Sequence, residues 1–528
     1  MAAPVTEPPP APPALGRRGR ALLLAAVAAC AACGLTYELV LLTLSAGLTG
    51  GGITQTSLIV AGYVAALGAG ALLVKPLLAR AATVFVAVEI LLGLLGGLSA
   101  VTLYVTFSYY GTDTVVLVVA TAVLGALVGA EVPLLMTLLQ SDRPGTDAAA
   151  TGRVLADLNA ADYAGALLGG LAWPFLLLPL AGQIRGAALT GVVNLVAAAV
   201  LAAVLLRPAM SRRARRGATA ALLVAAALLG GLILNAGDIE ASARQRLYAD
   251  PVVVAQRSDY QEIVLTQRGD DVRLYLDGDL QFSSPDEYRY HEALVHPALA
   301  RDPGRVLVVG GGDGLAAREV LRHPSVREVV QVELDPAVLE LGRTRLSELN
   351  GDALRDRRMH VVADDAFRWL RERAARTGPA TAGFDAVIVD LPDPDTPALG
   401  RLYSTEFYGL VRAAANPGGL VVVQAGSPYS TPAAYWRTVS TITSAGMAVT
   451  PYHVHVPSFG DWGFALAQVG PAPPVPELSA RAPRMRYLDD AVLRAAAVFP
   501  RDRRPQQLAP STLDHPRIVR DLRQGWSR

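Results

Sequence analysis

Cysteine is nearly missing from this 528-residue chain: Cys30 and Cys33 are the only two, and both lie in its first apolar run. Two cysteines three apart exclude a disulfide framework, and without a second pair or suitably placed histidines they make no zinc site. A Cys-x-x-Cys can be a redox pair, but inside an apolar run these side chains read as helix packing. An excess of either charge is missing too: the net charge is +1, and no basic stripe interleaved with aromatics runs through the polar half. Nucleic acid is excluded as a partner on that ground. The first apolar run also lacks a small-residue cleavage site and is too long for a cleaved secretion signal.

Apolar residues, by contrast, make up 52% of the chain and the mean hydropathy is +0.35, high for a soluble protein. They concentrate before residue 235, in runs at 21–46, 57–75, 82–107, 114–140, 154–182, 186–206 and 218–235. Each run is near or above the length of about 20 residues that a hydrocarbon core requires. The expected organisation is a disordered basic tail (1–20) followed by a membrane domain (21–235) of about seven helices, with the lipid bilayer as its partner. Arg17, Arg18, Arg20, Lys75, Arg80, Arg143, Arg153 and the arginines at 207–216 fall on one side of these runs, against Arg185 on the other, which puts the N-terminus in the cytoplasm. Glu38, Glu89, Glu131, Asp157 and Asp162 lie within or at the ends of the runs, where carboxylates are costly. Two readings stand: a route for polyamines or protons, or an anchor whose acids pair with Asn, Ser or backbone groups.

Beyond residue 240 the pattern is that of a globular protein. Alternating apolar positions over 252–282, broken by "RGDD" and "LDGD", predict a small antiparallel sheet of hairpins. "SPDEYRYHEALVHPAL" predicts a helix with Ser284 as N-cap and Pro285 at its first position. These form a small β domain with a helix, 240–300. From 301 to 470, Val/Ile-rich runs separated by helical stretches predict a doubly wound, Rossmann-type parallel sheet, in which ligands bind at the carboxyl ends of the strands. A proline-rich extension, 471–528, has no chemical role on this reading.

The strand ends all carry acids: Asp313 in "VLVVGGGDG", Glu333, Asp364 with Asp365, and Asp390 with Asp393. One such acid is an ordinary turn former. A series of them along one sheet edge defines an acidic crevice. Glu333 lies 23 residues beyond Gly310, the usual relation between a glycine turn and an acid that binds a ribose hydroxyl pair. Asp364 can accept a hydrogen bond from an adenine amino group. Asp313, Asp390 and Asp393 would surround a cation, such as an adenosyl sulfonium or a polyamine, and would oppose the phosphates of a dinucleotide. An alkylammonium, with a pKa of roughly 10, must lose a proton before it attacks carbon. One carboxylate can take that proton while a second holds a distal ammonium, and no metal is needed because a sulfonium leaves as a neutral thioether.

The motifs "YQEIVL" (260–265), "LYLDGDLQFSSPDEYRYHEALVHP" (274–297), "VLVVGGGDG" (306–314), "VVQVELDP" (329–336) and "VIVDLPDPDTP" (387–397) resemble those of the spermidine synthases, the polyamine aminopropyltransferases. The resemblance covers about 250–470 and extends to membrane-anchored bacterial members. It implies aminopropyl transfer from decarboxylated S-adenosylmethionine, a co-substrate, to putrescine, with no bound cofactor. It also implies Asp390 as general base, Asp393 as its polyamine-binding neighbour, and His291 and Asp313 at the amine end. Tyr260 would face the ligand beside Gln261, which would contact the donor; Glu333 would bind the ribose, Asp364 and Asp365 the adenine side, and Pro397 would line the nucleoside pocket. A homo-oligomer is expected.

Three departures are visible: "DLPDP" in place of small polar residues after the fourth strand, Phe459 where soluble members carry a tyrosine, and Leu315 after Gly314. They leave cadaverine or a longer polyamine open beside putrescine. Two alternatives also stand, an S-adenosylmethionine-dependent methyltransferase and a polyamine transporter or sensor with a synthase-like domain. The localisation expected is the cell membrane. Seven crossings would put the catalytic domain outside, whereas a donor made in the cytosol places it inside; the cytoplasmic side is the expectation.

Overall fold

The computed structural model describes residues 17–49, 53–111, 114–141, 148–376 and 383–526. The tail expected over 1–20 lies, up to residue 16, outside the described residues, as does Arg143. The chain forms two compact units, Met1–Ala249 and Asp250–Arg528.

The first unit is helical: α1 (Arg17–Thr49), α2 (Ile53–Leu73), α3 (Ala81–Tyr110), α4 (Thr114–Ser141), α5 (Ala148–Ala172), α6 (Leu178–Val200) and α7 (Arg212–Leu247). Small residues let these helices touch backbone to backbone. A Cβ on Gly129 would stand 2.0 Å from the Leu67 carbonyl oxygen, and one on Gly165 would stand 2.0 Å from that of Ala28. Gly125 with Gly129, and Gly165 with Gly169, repeat the four-residue glycine spacing of closely crossed helices. Where the sequence predicts seven apolar spans, six continuous helical segments among the described residues are long and apolar enough to cross a membrane. The difference lies in Leu155–Leu205, 51 residues in one segment, which joins the fifth and sixth runs. Gly182 breaks it, with φ 74° and ψ −176°. The buried Trp173 ring then meets Gly186 across the break. The outside of the unit is apolar as well, with Leu72, Phe175, Leu180 and Leu234 all more than half exposed.

The second unit begins with a four-stranded antiparallel sheet, β1 (Val252–Arg257), β2 (Glu262–Arg268), β3 (Asp271–Leu276) and β4 (Asp279–Ser283), paired in chain order. Asp277 and Gly278 both take positive φ, 49° and 92°, the turn that "DG" favours between twisted strands. The helix that follows, α8 (Glu287–Val295), starts later than its sequence suggests. Ser284 does not cap it: its hydroxyl accepts from Val272 N at 2.9 Å and donates to the Asp270 carbonyl at 3.0 Å, completing the hairpin sheet instead.

The main sheet has seven strands: β5 (Arg305–Gly310), β6 (Glu328–Glu333), β7 (Met359–Ala363), β8 (Phe384–Asp390), β9 (Ala415–Gly426), β10 (Ala448–Val456) and β11 (Gly460–Gln468). Their order is β10-β11-β9-β8-β5-β6-β7; the five from β9 to β7 are parallel, and β11 and β10 add antiparallel strands at one edge. Val306, Val308, Ile388 and Val422 face one core layer, Leu307, Val309, Val387 and Val421 the other, as a sheet covered on both faces requires. The chain leaves β5 in one direction, towards β6 and β7, and returns to β8 on the other side, so the switch point lies between β5 and β8.

The extension after residue 470 belongs to this core. Leu488 and Leu493 pack on one face of the sheet, and Ile518 and Leu522 on the other. Its anchor is Glu292 on α8, a buried carboxylate that accepts from three backbone N–H groups, those of Arg486 (2.7 Å), Tyr487 (2.9 Å) and Leu488 (2.9 Å). Each orphaned N–H costs about 1–3 kcal/mol, so Glu292→Ala should destabilise this unit by about 3 kcal/mol or more. Thermal unfolding of the detergent-solubilised chain measures it, with Glu292→Gln intermediate.

Candidate active site

The carboxyl ends of β5 and β8 stand side by side because Gly310 pairs with Asp390. The turn that follows β5 needs glycine there: Gly310 has φ 83°, and a Cβ on it would lie 1.9 Å from the Asp390 carbonyl oxygen. Gly311 N donates to that same oxygen at 3.2 Å. From β6, the buried Gln331 amide donates to the carbonyls of Gly310 (3.0 Å) and Gly311 (2.6 Å). The turn is thus pinned on both sides, and it brings Asp313 within electrostatic reach of His291 and Asp390.

Asp313 is buried, and its carboxylate accepts from Leu315 N at 2.8 Å at the start of the helix α9 (Leu315–Leu321). Burial raises its pKa, against the lowering effect of the nearby His291. Asp390, at the tip of β8, accepts from the Tyr290 hydroxyl at 2.6 Å. Enclosure pushes its pKa up to about 6; the charge of Asp313 adds to this, and His291 and the Tyr290 hydroxyl oppose it. His291 is buried on α8 with Nδ1 2.9 Å from the Glu287 carboxylate and 2.8 Å from the Glu287 carbonyl. Burial alone would lower its pKa, but Glu287, with Asp313 and Asp390 beyond it, lifts it to about 8. Arg318 closes the network by donating to Glu287 at 2.9 Å. One imidazole therefore faces two crevice acids and is itself held by a third.

On the β6 side, Glu333 accepts from Asp335 N at 2.9 Å, and enclosure pushes its pKa to about 7. Asp335 caps α10 (Pro336–Arg343) through Ala337 N and accepts from Ser258 (2.6 Å) and Gln261 (2.9 Å) with its other oxygen. That pair of bonds ties the β1–β2 loop to the glycine-turn side of the main sheet and fixes the Gln261 amide. Tyr260 beside it is 53% exposed and makes only a backbone contact, to the Ser258 hydroxyl.

After β8, Asp393 lies against Gln424, whose amide donates to it at 3.3 Å and to the Tyr403 hydroxyl at 2.6 Å. Enclosure pushes the Asp393 pKa to about 7, with Asp279 and Asp395 adding repulsion and Gln424 opposing it. Asp364 and Asp365, after β7, are held by arginines: Arg368 donates to Asp364 at 2.8 Å, and Arg401 pairs with Asp365. Pro397 is exposed and opens the short helix Pro397–Gly400, with Thr396 as N-cap. Phe459 meets Tyr290 edge-on, ring centroids 5.8 Å apart.

The structure thus brings His291, Asp313 and Asp390 into one electrostatic cluster, with Glu333 coupled to Asp313 on the β6 side. Sequence reasoning missed Tyr290, Asp335 and Gln424. Gln424 sits near the carboxyl end of β9, where the rule applied to acids would have found it had it included amides. Tyr290 lies inside a quoted motif, but its aim at Asp390, 100 residues away, has no local signal.

Asp393, Glu333 and His291 all hold protons more tightly folded than unfolded, so the stability they contribute is lost as pH rises through about 7, 7 and 8. The groups shifted the other way, Glu319 to about 2 and His323 to about 4, act below their unfolded values. The melting temperature of the ligand-free protein should therefore fall between pH 6.5 and 8.5, and Asp393→Asn should flatten that fall, as a pH series of thermal melts would show.

The spermine/spermidine synthase domain matches residues 287–477. A polyamine aminopropyltransferase of Mycobacterium tuberculosis is 63% identical over 512 residues, covering 96% of this chain and 97% of its own. One from Corynebacterium efficiens is 56% identical over 516 residues, covering 98% of each. Among solved structures, a spermidine synthase from Thermotoga maritima covers 47% of this chain and 85% of its own at 26% identity, with a TM-score of 0.43. With likeness of this extent through both units, the chain belongs to the polyamine aminopropyltransferase family.

Proposed function

We propose that the protein transfers the aminopropyl group of decarboxylated S-adenosylmethionine to putrescine, giving spermidine and methylthioadenosine. The observation that carries this reading is the pair Asp390 and Asp393, two enclosed carboxylates three residues apart at a strand tip, with pKa values of about 6 and about 7. A diammonium ligand meets both.

Asp393 holds one ammonium; Asp390 takes a proton from the other nitrogen as it attacks. The new C–N bond forms as the C–S bond of the sulfonium breaks, and the electron pair stays on sulfur, which leaves as a neutral thioether. Tyr290 occupies one Asp390 oxygen, which leaves the other to accept the proton. His291 and Asp313 stand at the amine end, Tyr260 at the mouth. Glu333 binds the ribose, Asp364 and Asp365 the adenine side, Pro397 lines the nucleoside pocket, and Gln261, held by Asp335, meets the donor. Intact S-adenosylmethionine would set its carboxylate against Asp313, a like-charge contact.

The helical unit is read as a multi-pass anchor in the cell membrane, its apolar exterior facing lipid. The synthase unit is read as cytoplasmic, where the donor is made, which requires one helical leg not to complete a crossing. Both native cysteines are buried, so an impermeant maleimide should leave Arg373→Cys unlabelled in intact cells. Strong labelling would put the unit outside.

Incubating the full-length protein with both substrates should yield spermidine and methylthioadenosine in equal amounts. Asp390→Asn should lower turnover by about 10²–10⁴-fold and keep methylthioadenosine binding. In the wild type, kcat/KM should fall as pH drops through about 6. Tyr290→Phe removes a bond to the ionised carboxylate, so its acid limb should lie at higher pH.

A further inference from the structure

The helical unit buries two carboxyl groups, Glu89 on α3 and Glu131 on α4, and no lysine, arginine or histidine is buried among its described residues. They are close enough for their charges to interact. Asn194 on α6 donates to Glu89 at 2.9 Å, and Cys30 on α1 also bonds to that carboxyl. Tyr37, one helical face along from Cys30, lies within their field. Four buried oxygens of this group have no hydrogen-bond partner: Glu89 Oε1, Glu131 Oε1, Asn194 Oδ1 and Tyr37 Oη.

Donors are short here for a definite reason. Most buried hydroxyls of the unit are spent on backbone carbonyls: Thr36 on Ala32, Ser99 on Gly96, Thr121 on Leu117 and Thr190 on Gly186 within their own helices, and Tyr63 on Gly34 of α1. What remains is an interior with excess acceptors, two acids and no cation of its own. Unpaired acceptors and charges in apolar surroundings are costly.

We propose that Glu89, Glu131, Asn194 and Tyr37 form a binding site for a primary ammonium group inside the helical unit. An ammonium brings one positive charge and three N–H donors with no acceptor, which matches the deficit in sign and serves three of the four unpaired oxygens. A single proton supplies one donor and reaches one neighbour. No cluster suited to a metal ion occurs among the described residues. The proposal is independent of the catalytic reading, because its residues lie wholly in the helical unit.

Dicyclohexylcarbodiimide, an apolar reagent that adds to protonated carboxyl groups, tests it on the full-length protein in lipid nanodiscs. Labelling of Glu89 and Glu131 is read by peptide mass spectrometry. Putrescine or spermidine at about ten times its Kd should slow labelling about tenfold. Sodium and tetramethylammonium, which carry charge but no N–H, should not at matched ionic strength. Tyr37→Phe should weaken the amine protection while both carboxyls still react. Labelling indifferent to the amines, or slowed equally by tetramethylammonium, overturns the proposal. If neither carboxyl reacts, equilibrium binding of radiolabelled spermidine decides: Glu89→Gln/Glu131→Gln, with its thermal transition retained, must lose one class of sites, and an unchanged stoichiometry overturns the proposal.

Discussion

The pairing of β5 with β8 governs the catalytic unit. It sets Gly310 against Asp390 so closely that no side chain fits between them, and the Gly311 N–H completes the contact. From this one approach follow the position of Asp313, which the turn carries, and that of Asp390, which the strand carries. A sheet in which these two strands were not neighbours could hold the same acids and have no crevice. The glycines serve the geometry of strand ends here, and the acid among them accepts from Leu315 N at the start of α9.

Gathering acids in this way has a cost in stability, which is visible in the protons they retain. Asp390, Asp393 and Glu333 are all held above the ordinary carboxylate range by enclosure. The fold offsets part of this through His291, whose charge is in turn sustained by Glu287, itself paired with Arg318. On the proposed function, the remaining negative charge is what a cationic substrate would neutralise, and its binding would also relieve the repulsion among these acids.

Much of this was legible in the sequence. Val- and Ile-rich runs marked the parallel strands, and the position of acids just after them marked the crevice, because both signals are local. The signals that failed are those that depend on distant partners. Ser284 looks like a helix cap until the β3 backbone claims it. Asp335 looks like an ordinary cap, and only the folded β1–β2 loop shows its second oxygen at work on Gln261. The apolar runs on either side of Gly182 look like two spans in the sequence, and the structure joins them into one broken segment. The extension shows in sequence only a proline-rich link and a short helix-like stretch, because its place in the fold comes from Glu292 and the two faces of the sheet.

That anchor also bears on when the enzyme becomes whole. Glu292 shares α8 with Tyr290 and His291, and its three partners lie at 486–488, well beyond Asp393 in the chain. During synthesis every strand-tip acid is made before that segment, and for that interval the helix that carries Tyr290 to Asp390 lacks the partners that fasten its far side. A chain cut short before residue 486 would keep all of these acids and leave the Glu292 carboxylate buried without its three N–H partners.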